Sequence, residues 1–295
     1  MSLSYGSSLS SYLKLTMLFA MLGGIFVALG FIIGGLYTAS LFLVMALGIN
    51  FLMYFISDKL VLASTGAHVV DENEAPRLHA IVSKLAAQAE IPKPKVAIVK
   101  SPQPNAFATG RNKDHAVVAA TTGLLNIMSD NEVEAVLAHE IGHVVHRDML
   151  VATVAASIAT AVAYIGNIIM WFMIMGGGRG REDSSRNVAT LGAVILAPLA
   201  ATFVQLAISR NREYYADEAS AVLTKKPLSL VNALSKIEQM IHRGAPLNTS
   251  PSTASLWIAN PFRGSGMLRL FSTHPSTENR IRRLEEISRK MGYTY

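Results

Sequence analysis

The sequence predicts an α+β protein, mainly α, that passes through a membrane several times and carries a small antiparallel sheet beside a helical layer. Three observations predict it. Of its 295 residues, 51% are hydrophobic and only 16% charged, an excess of apolar residues over an average soluble domain. Four uncharged runs, Leu15–Leu36, Ala39–Ser57, Met149–Met175 and Val188–Ser209, have the length of bilayer spans. Elsewhere, apolar residues recur at helical spacing and short strand-like runs lie between turn residues.

The elements follow in order. Residues 1–13 form a polar, serine-rich N-terminal tail. Residues 14–57 form a transmembrane hairpin: Lys14 precedes the first run, Tyr37-Thr38 marks the turn, and Asp58-Lys59 ends the second run. No small-residue cleavage site follows the first run, so it reads as an anchor. Residues 58–148 read as the first part of a catalytic domain. Leu78, Ile81, Val82, Leu85 and Ala89 give one helical face, which Pro92 and Pro94 stop. Three strands follow at 96–99, 105–110 and 115–120, the last two joined by the turn Gly110–Asp114. Ser129-Asp130-Asn131-Glu132 has the form of a capping box, and Val133, Val136, Leu137 and Ile141 continue from it as a helix.

Residues 149–209 read as a second hydrophobic hairpin around a charged loop. A buried helical hairpin in a soluble core is the alternative; the length of the runs favours spanning. Arg179, Arg181 and Arg186 in the loop run against the rule that basic residues stay on the cytoplasmic side. Residues 210–295 form the second part of the domain. Leu230, Leu234, Ile237 and Ile241 share one helical face, Asn248–Asn260 reads as a flexible Ser/Thr/Pro-rich loop, and a last helix runs from Pro275 to Gly292.

The net charge is +6, and residues 210–295 carry most of it, with 13 Lys/Arg against 7 Asp/Glu. A basic segment beside membrane spans indicates the cytoplasmic side and anionic lipid; no nucleic-acid-binding motif is present. The chain has no cysteine, so disulfides are excluded and a zinc site must be built from His, Asp or Glu.

The chemistry centres on His139-Glu140-Ile141-Gly142-His143, which reads H-E-x-x-H. On a helix, residues four apart lie roughly 40° apart around the axis and about 6 Å along it, so His139 and His143 can share one ion. Glu140 then stands beside that ion as a base. Zinc brings bound water to a pKa of about 7, and a carboxylate completes the deprotonation. A surface helix with two chance histidines is the bland alternative. His146 lies too far along the axis to join the same ion, about 10.5 Å from His139. The remaining histidines, His68, His79, His115 and His242, lack ligand spacing and read as surface residues.

Two histidines leave a catalytic zinc one protein ligand short. Glu213, just after the fourth run, is the candidate third ligand. Asp217, four residues on, shares its helical face and can accept a hydrogen bond from the outer nitrogen of a ligand histidine. An exposed acidic pair balancing Arg210 and Arg212 is the alternative.

Taken in order, these motifs resemble the HtpX-type membrane zinc metalloproteases, which are related to the CAAX prenyl proteases. The resemblance rests on two N-terminal spans, Asn105-Ala106-Phe107-Ala108, the H-E-x-x-H helix, a second hairpin, Arg210-x-x-Glu213-Tyr214-x-Ala216-Asp217, and Thr273-His274-Pro275 with Arg280-Ile281. It implies a zincin-like catalytic domain in a bacterial inner (cytoplasmic) membrane, with the active site facing the cytoplasm. The activity implied is endoproteolysis of misfolded or damaged membrane proteins. Asn105, Ala106 and Phe107 would lie on an edge strand to which a substrate strand adds. His274 would donate to the developing oxyanion; capping of the last helix is its other reading.

The expectation is therefore one Zn²⁺ per chain, held by His139, His143 and Glu213, with Glu140 as base and Asp217 behind His139. Unfolded or membrane proteins would be substrates and the lipid bilayer the surroundings. A CAAX-type prenyl peptidase and a non-catalytic zinc-binding membrane scaffold are the alternatives. A structural zinc site fills every position and needs no base, so Glu140 speaks against the scaffold.

Overall fold

The structure is a computed structural model that describes residues 8–146, 149–176, 210–247, 249, 251–261 and 275–293. The charged loop and second arm expected for a hairpin at 149–209, and Thr273-His274, fall outside the described residues.

Helix α1, Ser8–Thr65, is two helices joined at Gly34-Gly35. Gly35 takes φ 67°, a conformation open to glycine, and the chain reverses there. The arms pack antiparallel: Phe26 meets Phe42, Asn50 Nδ2 donates to the Phe19 carbonyl at 3.2 Å, and Gly30 leaves no room for a side chain against Ala39 and Phe42. The turn therefore falls at Gly34-Gly35 instead of Tyr37-Thr38. Hydropathy is continuous across both sites, and only the glycine pair has the backbone freedom to reverse. The hairpin exposes Met17, Phe31, Leu36, Leu47 and Phe51. Two helices among the described residues are long and apolar enough to cross a membrane, Ser11–Ala28 and Gly34–Thr65. The second arm does not stop at Asp58-Lys59. It continues to Thr65 and inserts Val61 into the core.

The domain that follows contains β1 (Ala67–Val69), α2 (Pro76–Gln88), β2 (Lys95–Val99), β3 (Ala106–Thr109), a 3₁₀ turn (Lys113–His115), β4 (Val117–Thr121), α3 (Thr122–Ile127) and α4 (Asp130–Val145). Then come α5 (Met149–Gly176), α6 (Arg210–Thr224), α7 (Pro227–His242), a 3₁₀ segment (Pro251–Leu256) and α8 (Thr277–Lys290).

The sheet is mixed, not purely antiparallel. Its order is β1-β2-β4-β3; β1–β2 and β4–β3 are antiparallel and β2–β4 is parallel. β3 and β4 form a hairpin closed at Gly110, whose φ of 139° and contact with the His115 carbonyl admit no side chain. β4 then lies between β2 and β3, an insertion that local sequence does not encode.

Both faces of the sheet are covered, and β4 is buried along its whole length. One face, through Val96, Ala106, Ala108, Val118 and Ala120, joins the main core with α2, α4, α7 and Leu284 of α8. The other, through Ala97, Val99, Phe107, Val117 and Ala119, packs on Val61, Ala152, Ala156, Leu256 and Trp257. A third cluster joins the first arm of α1 (Leu15, Leu18, Leu22) to Val151, Val154, Ala155 and Ile158 of α5. The helix axis turns by 91° between α4 and α5, so the motif helix leads directly into the layer packed on the hairpin.

The stretch expected as a flexible loop at 248–260 is instead largely packed. Pro251–Leu256 is a 3₁₀ helix, and Ser252, Thr253, Ala254, Leu256 and Trp257 are buried. Small Ser, Thr and Ala side chains give the composition of a loop but also fit tightly against α5.

Candidate active site

Helix α4 starts at the expected capping box, where Glu132 accepts from the Ser129 amide at 2.8 Å. Lys236 of α7 reaches the same carboxylate at 2.8 Å. Burial pushes the Glu132 pKa up, but the hydrogen bonds from Lys236 and Ser129 outweigh it and hold the carboxyl below its usual range. Gly142 lets α4 and α6 touch: a side chain there would stand 3.0 Å from Ala216 Cα and from Ala219 Cβ. This contact brings the first turn of α6, with Glu213, against the histidines of α4.

His139, His143 and Glu213 offer ligand atoms that all lie within 4.8 Å of one another; they form the only such group found among the described residues. The two Nε2 atoms are 3.2 Å apart. Glu213 Oε2 is 3.7 Å from His139 Nε2, and its Oε1 is 3.6 Å from His143 Nε2. Tetrahedral zinc with bonds of about 2.0–2.1 Å needs ligand atoms roughly 3.3 Å apart, so the set fits one ion.

Asp217 lies behind His139, its Oδ1 2.9 Å from His139 Nδ1, and both side chains are fully buried. With a proton on Nδ1 donated to Asp217, Nε2 would be left to face a metal ion shared with Glu213. Burial and the nearby Arg280 disfavour protonation of His139, yet its hydrogen bonds to Asp217 and Glu213 raise its pKa above the usual value. Burial would likewise raise the Asp217 pKa; the Arg280 charge and the hydrogen bond from His139 reverse this and lower it.

Glu140 is 1% exposed, and both its carboxylate oxygens are buried without a hydrogen-bond partner. Burial, and secondarily the Glu213 charge, push its pKa up against the opposing pull of His139 and His143. A buried carboxylate without partners is costly. It lies beside His139, His143 and Glu213, three residues that could hold a metal ion, with both oxygens unspent.

His146 caps α4 and contacts the Gly142 carbonyl at 2.7 Å through Nδ1, outside the ligand group. His68, His115 and His242 are exposed, whereas His79 is tucked against the Val70 carbonyl at 3.0 Å.

Two features were not anticipated from spacing. Arg280 of α8 is 2% exposed and ties the site together. Its Nε and NH2 donate to Asp217 at 3.0 and 2.6 Å, NH1 donates to the Ile258 carbonyl at 2.7 Å, and NH1 lies 3.7 Å from Glu213. A signal was available, since Arg280 shares the helical face of Leu284 and Ile287, both buried. The other feature is the outer edge of β3. The Ala106 carbonyl accepts from the Ile258 amide at 2.9 Å, Phe107 bridges Trp257, and Asn105 Nδ2 donates to the Ala259 carbonyl at 2.9 Å. The expected substrate edge at Asn105, Ala106 and Phe107 is thus paired by the chain itself.

In a protein with membrane-spanning helices, a helix-borne His-His-Glu set with a free buried carboxylate defines a membrane metallopeptidase. The chain belongs to peptidase family M48, whose family model matches residues 72–288. It is 48% identical over 284 residues to a protein named Protease HtpX homolog from Pyrococcus furiosus, covering 96% of this chain and 98% of that one. It is also 48% identical over 274 residues to a namesake from Aquifex aeolicus, covering 91% and 90%. A third, from Burkholderia thailandensis, is 43% identical over 283 residues, covering 95% and 98%. Among solved structures it is similar to Ste24p of S. mikatae, with a TM-score of 0.47 and 20% identity over 94% of this chain and 66% of that one.

Proposed function

We propose that this metalloprotease is a zinc endopeptidase that cleaves unfolded or damaged membrane proteins, in the manner of proteolytic quality control. We further propose that it works at the cytoplasmic membrane with its active site facing the cytoplasm. The observation that carries the endopeptidase reading is the Glu140 carboxylate, buried and unpartnered beside His139, His143 and Glu213. Zinc held by those three residues would supply a Lewis acid that acidifies water and polarises the peptide carbonyl.

The chain's own groups do the rest. Glu140 takes a proton from the attacking water and returns it to the leaving amine. Asp217 keeps the His139 proton on Nδ1, so that Nε2 stays a ligand. His274 remains the proposed donor to the oxyanion. Substrate backbone is proposed to add at Asn105–Phe107, which requires Trp257–Ala259 to leave that edge. Lys14 and Lys59, near the open end of the hairpin, and the basic segment 210–295 support the cytoplasmic orientation.

The test is cleavage of an unfolded protein such as casein by the purified full chain in detergent. Activity should disappear with a chelator and return with Zn²⁺ added back. Cleavage that survives complete removal of metal would refute the zinc mechanism.

A further inference from the structure

A cavity of about 330 Å³ opens where the hairpin meets the catalytic domain, lined in part by Tyr12, Tyr54, Arg111, Lys113, Asp114 and Met149. Tyr12 and Tyr54 stand on opposite arms of α1, both at the end away from the Gly34-Gly35 turn. Next to them in sequence, Leu13 and Phe55 are exposed and begin the apolar belt that continues through Met17 and Phe51. Tyrosines at the border of such a belt mark the headgroup level of a bilayer. The cavity mouth therefore lies where lipid phosphates lie.

The cationic wall is the β3–β4 turn. Arg111 is half-buried, and its guanidinium sits 5.6 Å from the centre of the Phe55 ring. Among the described residues it forms no hydrogen bond or ion pair. The turn that carries it is fixed. Asn112 Oδ1 accepts from the His115 amide at 3.0 Å, and Thr109 Oγ1 contacts Thr153 Oγ1 of α5 at 3.0 Å. Exposed Asp114 is one carboxylate against Arg111 and Lys113. A rigid guanidinium over an aromatic ring, with its donors unspent, matches the planar two-point geometry of a phosphodiester.

We propose that this cavity seats the phosphodiester headgroup of an anionic phospholipid, with Arg111 as the principal contact, Lys113 adding charge, and the tyrosine hydroxyls as further donors. Basic pockets among membrane helices hold such headgroups, and each basic residue near the surface contributes attraction. A seated lipid would fix the β3–β4 turn, and with it the catalytic domain, against the bilayer.

The experiment uses the full chain, zinc-loaded, in phosphatidylcholine nanodiscs, with headgroup-spin-labelled phosphatidylglycerol as probe. The fraction of immobilised label is titrated. Wild type should prefer phosphatidylglycerol over equally labelled phosphatidylcholine by about fivefold, from two basic groups offset by one carboxylate. R111Q should lose most of that preference and K113Q part of it, with zinc content unchanged in both. The control R289Q/K290Q removes two exposed charges at the end of α8 and should keep the preference. Glycerol 3-phosphate at millimolar concentration should not displace the label. An equal loss in the control would reduce the effect to diffuse surface charge and overturn the proposal. No preference in wild type would overturn it too. Complete displacement by glycerol 3-phosphate would assign the cavity to a soluble phosphate compound instead.

Discussion

Arg280 grips Asp217 with two parallel hydrogen bonds, at 2.6 and 3.0 Å, and neither side chain is more than 2% exposed. The pair joins the last helix to α6, which carries Glu213, and its Nη1 donates to the Ile258 carbonyl beside β3. Its fork geometry is specific to arginine. Arg280→Ala should leave Asp217 buried without its partner and cost about 3–5 kcal/mol of stability. Arg280→Lys should recover part of this, since one ammonium cannot span both oxygens and the carbonyl. Chemical denaturation of the metal-free domain in detergent gives the ordering.

Glu140→Gln should retain zinc and lose activity by about a hundredfold or more, the usual contribution of a positioned base. The same substitution should raise the thermal midpoint of the metal-free protein, because it removes a buried carboxylate with no partner. Metal analysis, casein cleavage and a thermal melt on one preparation test all three points. An activity loss accompanied by zinc loss would show that Glu140 is a ligand and not a base.

Gly142→Val should weaken zinc binding without touching a ligand. A branched side chain placed 3.0 Å from Ala216 Cα must push α6 away from α4, carrying Glu213 with it. Overpacking of this kind costs about 1–3 kcal/mol. Isothermal titration should show the affinity falling while Glu213 and both histidines remain.

Acid stability should depend on the cap of α4. The Glu132 carboxyl is held below its ordinary value of 4.5 in the folded chain, mainly by Lys236 and Ser129 against burial. A depressed carboxylate contributes stability above its unfolded pKa and loses it as pH falls through the folded one. Ser129→Ala and Lys236→Met should therefore lower the denaturation midpoint at pH 7 and lose this effect below about pH 4. For Ser129→Ala the cost at neutral pH should be about 1 kcal/mol, the usual value of a cap.

What the sequence made legible follows physical range. The ligand helix could be read because a cap, an apolar face and an i,i+4 histidine pair are all local. Glu213 and Asp217 could be read because they repeat that spacing after a long apolar run. β1 was missed because Ala67–Val69 is short and largely exposed, without alternation. The sheet order was missed because inserting β4 between β2 and β3 leaves no local trace. Trp257 sits against Phe107, with ring centres 4.8 Å apart, yet its neighbours Ser252, Thr253 and Ser255 have loop composition. Arg280 stood in the sequence as part of the Arg280-Ile281 motif and as a charge on an apolar helical face, but its role was not legible because its partner Asp217 lies 63 residues away.

Glu213 and Asp217 should separate cleanly when each is neutralised. Glu213 faces both Nε2 atoms, so Glu213→Gln neutralises the proposed third ligand and should reduce zinc affinity most. Asp217 touches no other ligand group than His139, so Asp217→Asn should reduce affinity by about 10–100-fold, the range for an outer partner. Stability should run the other way. Asp217→Asn strips the buried Arg280 of its counter-charge, and about 3–5 kcal/mol is the expected loss. Glu213 lies 3.7 Å from Arg280 and at the first turn of α6, where water is nearer, so its neutralisation should cost the metal-free fold less. Zinc titration and denaturation of both metal-free variants therefore give opposite rankings. If Asp217→Asn proved the weaker zinc binder, Asp217 and not Glu213 would be the third ligand, and α6 would have to rotate to present it.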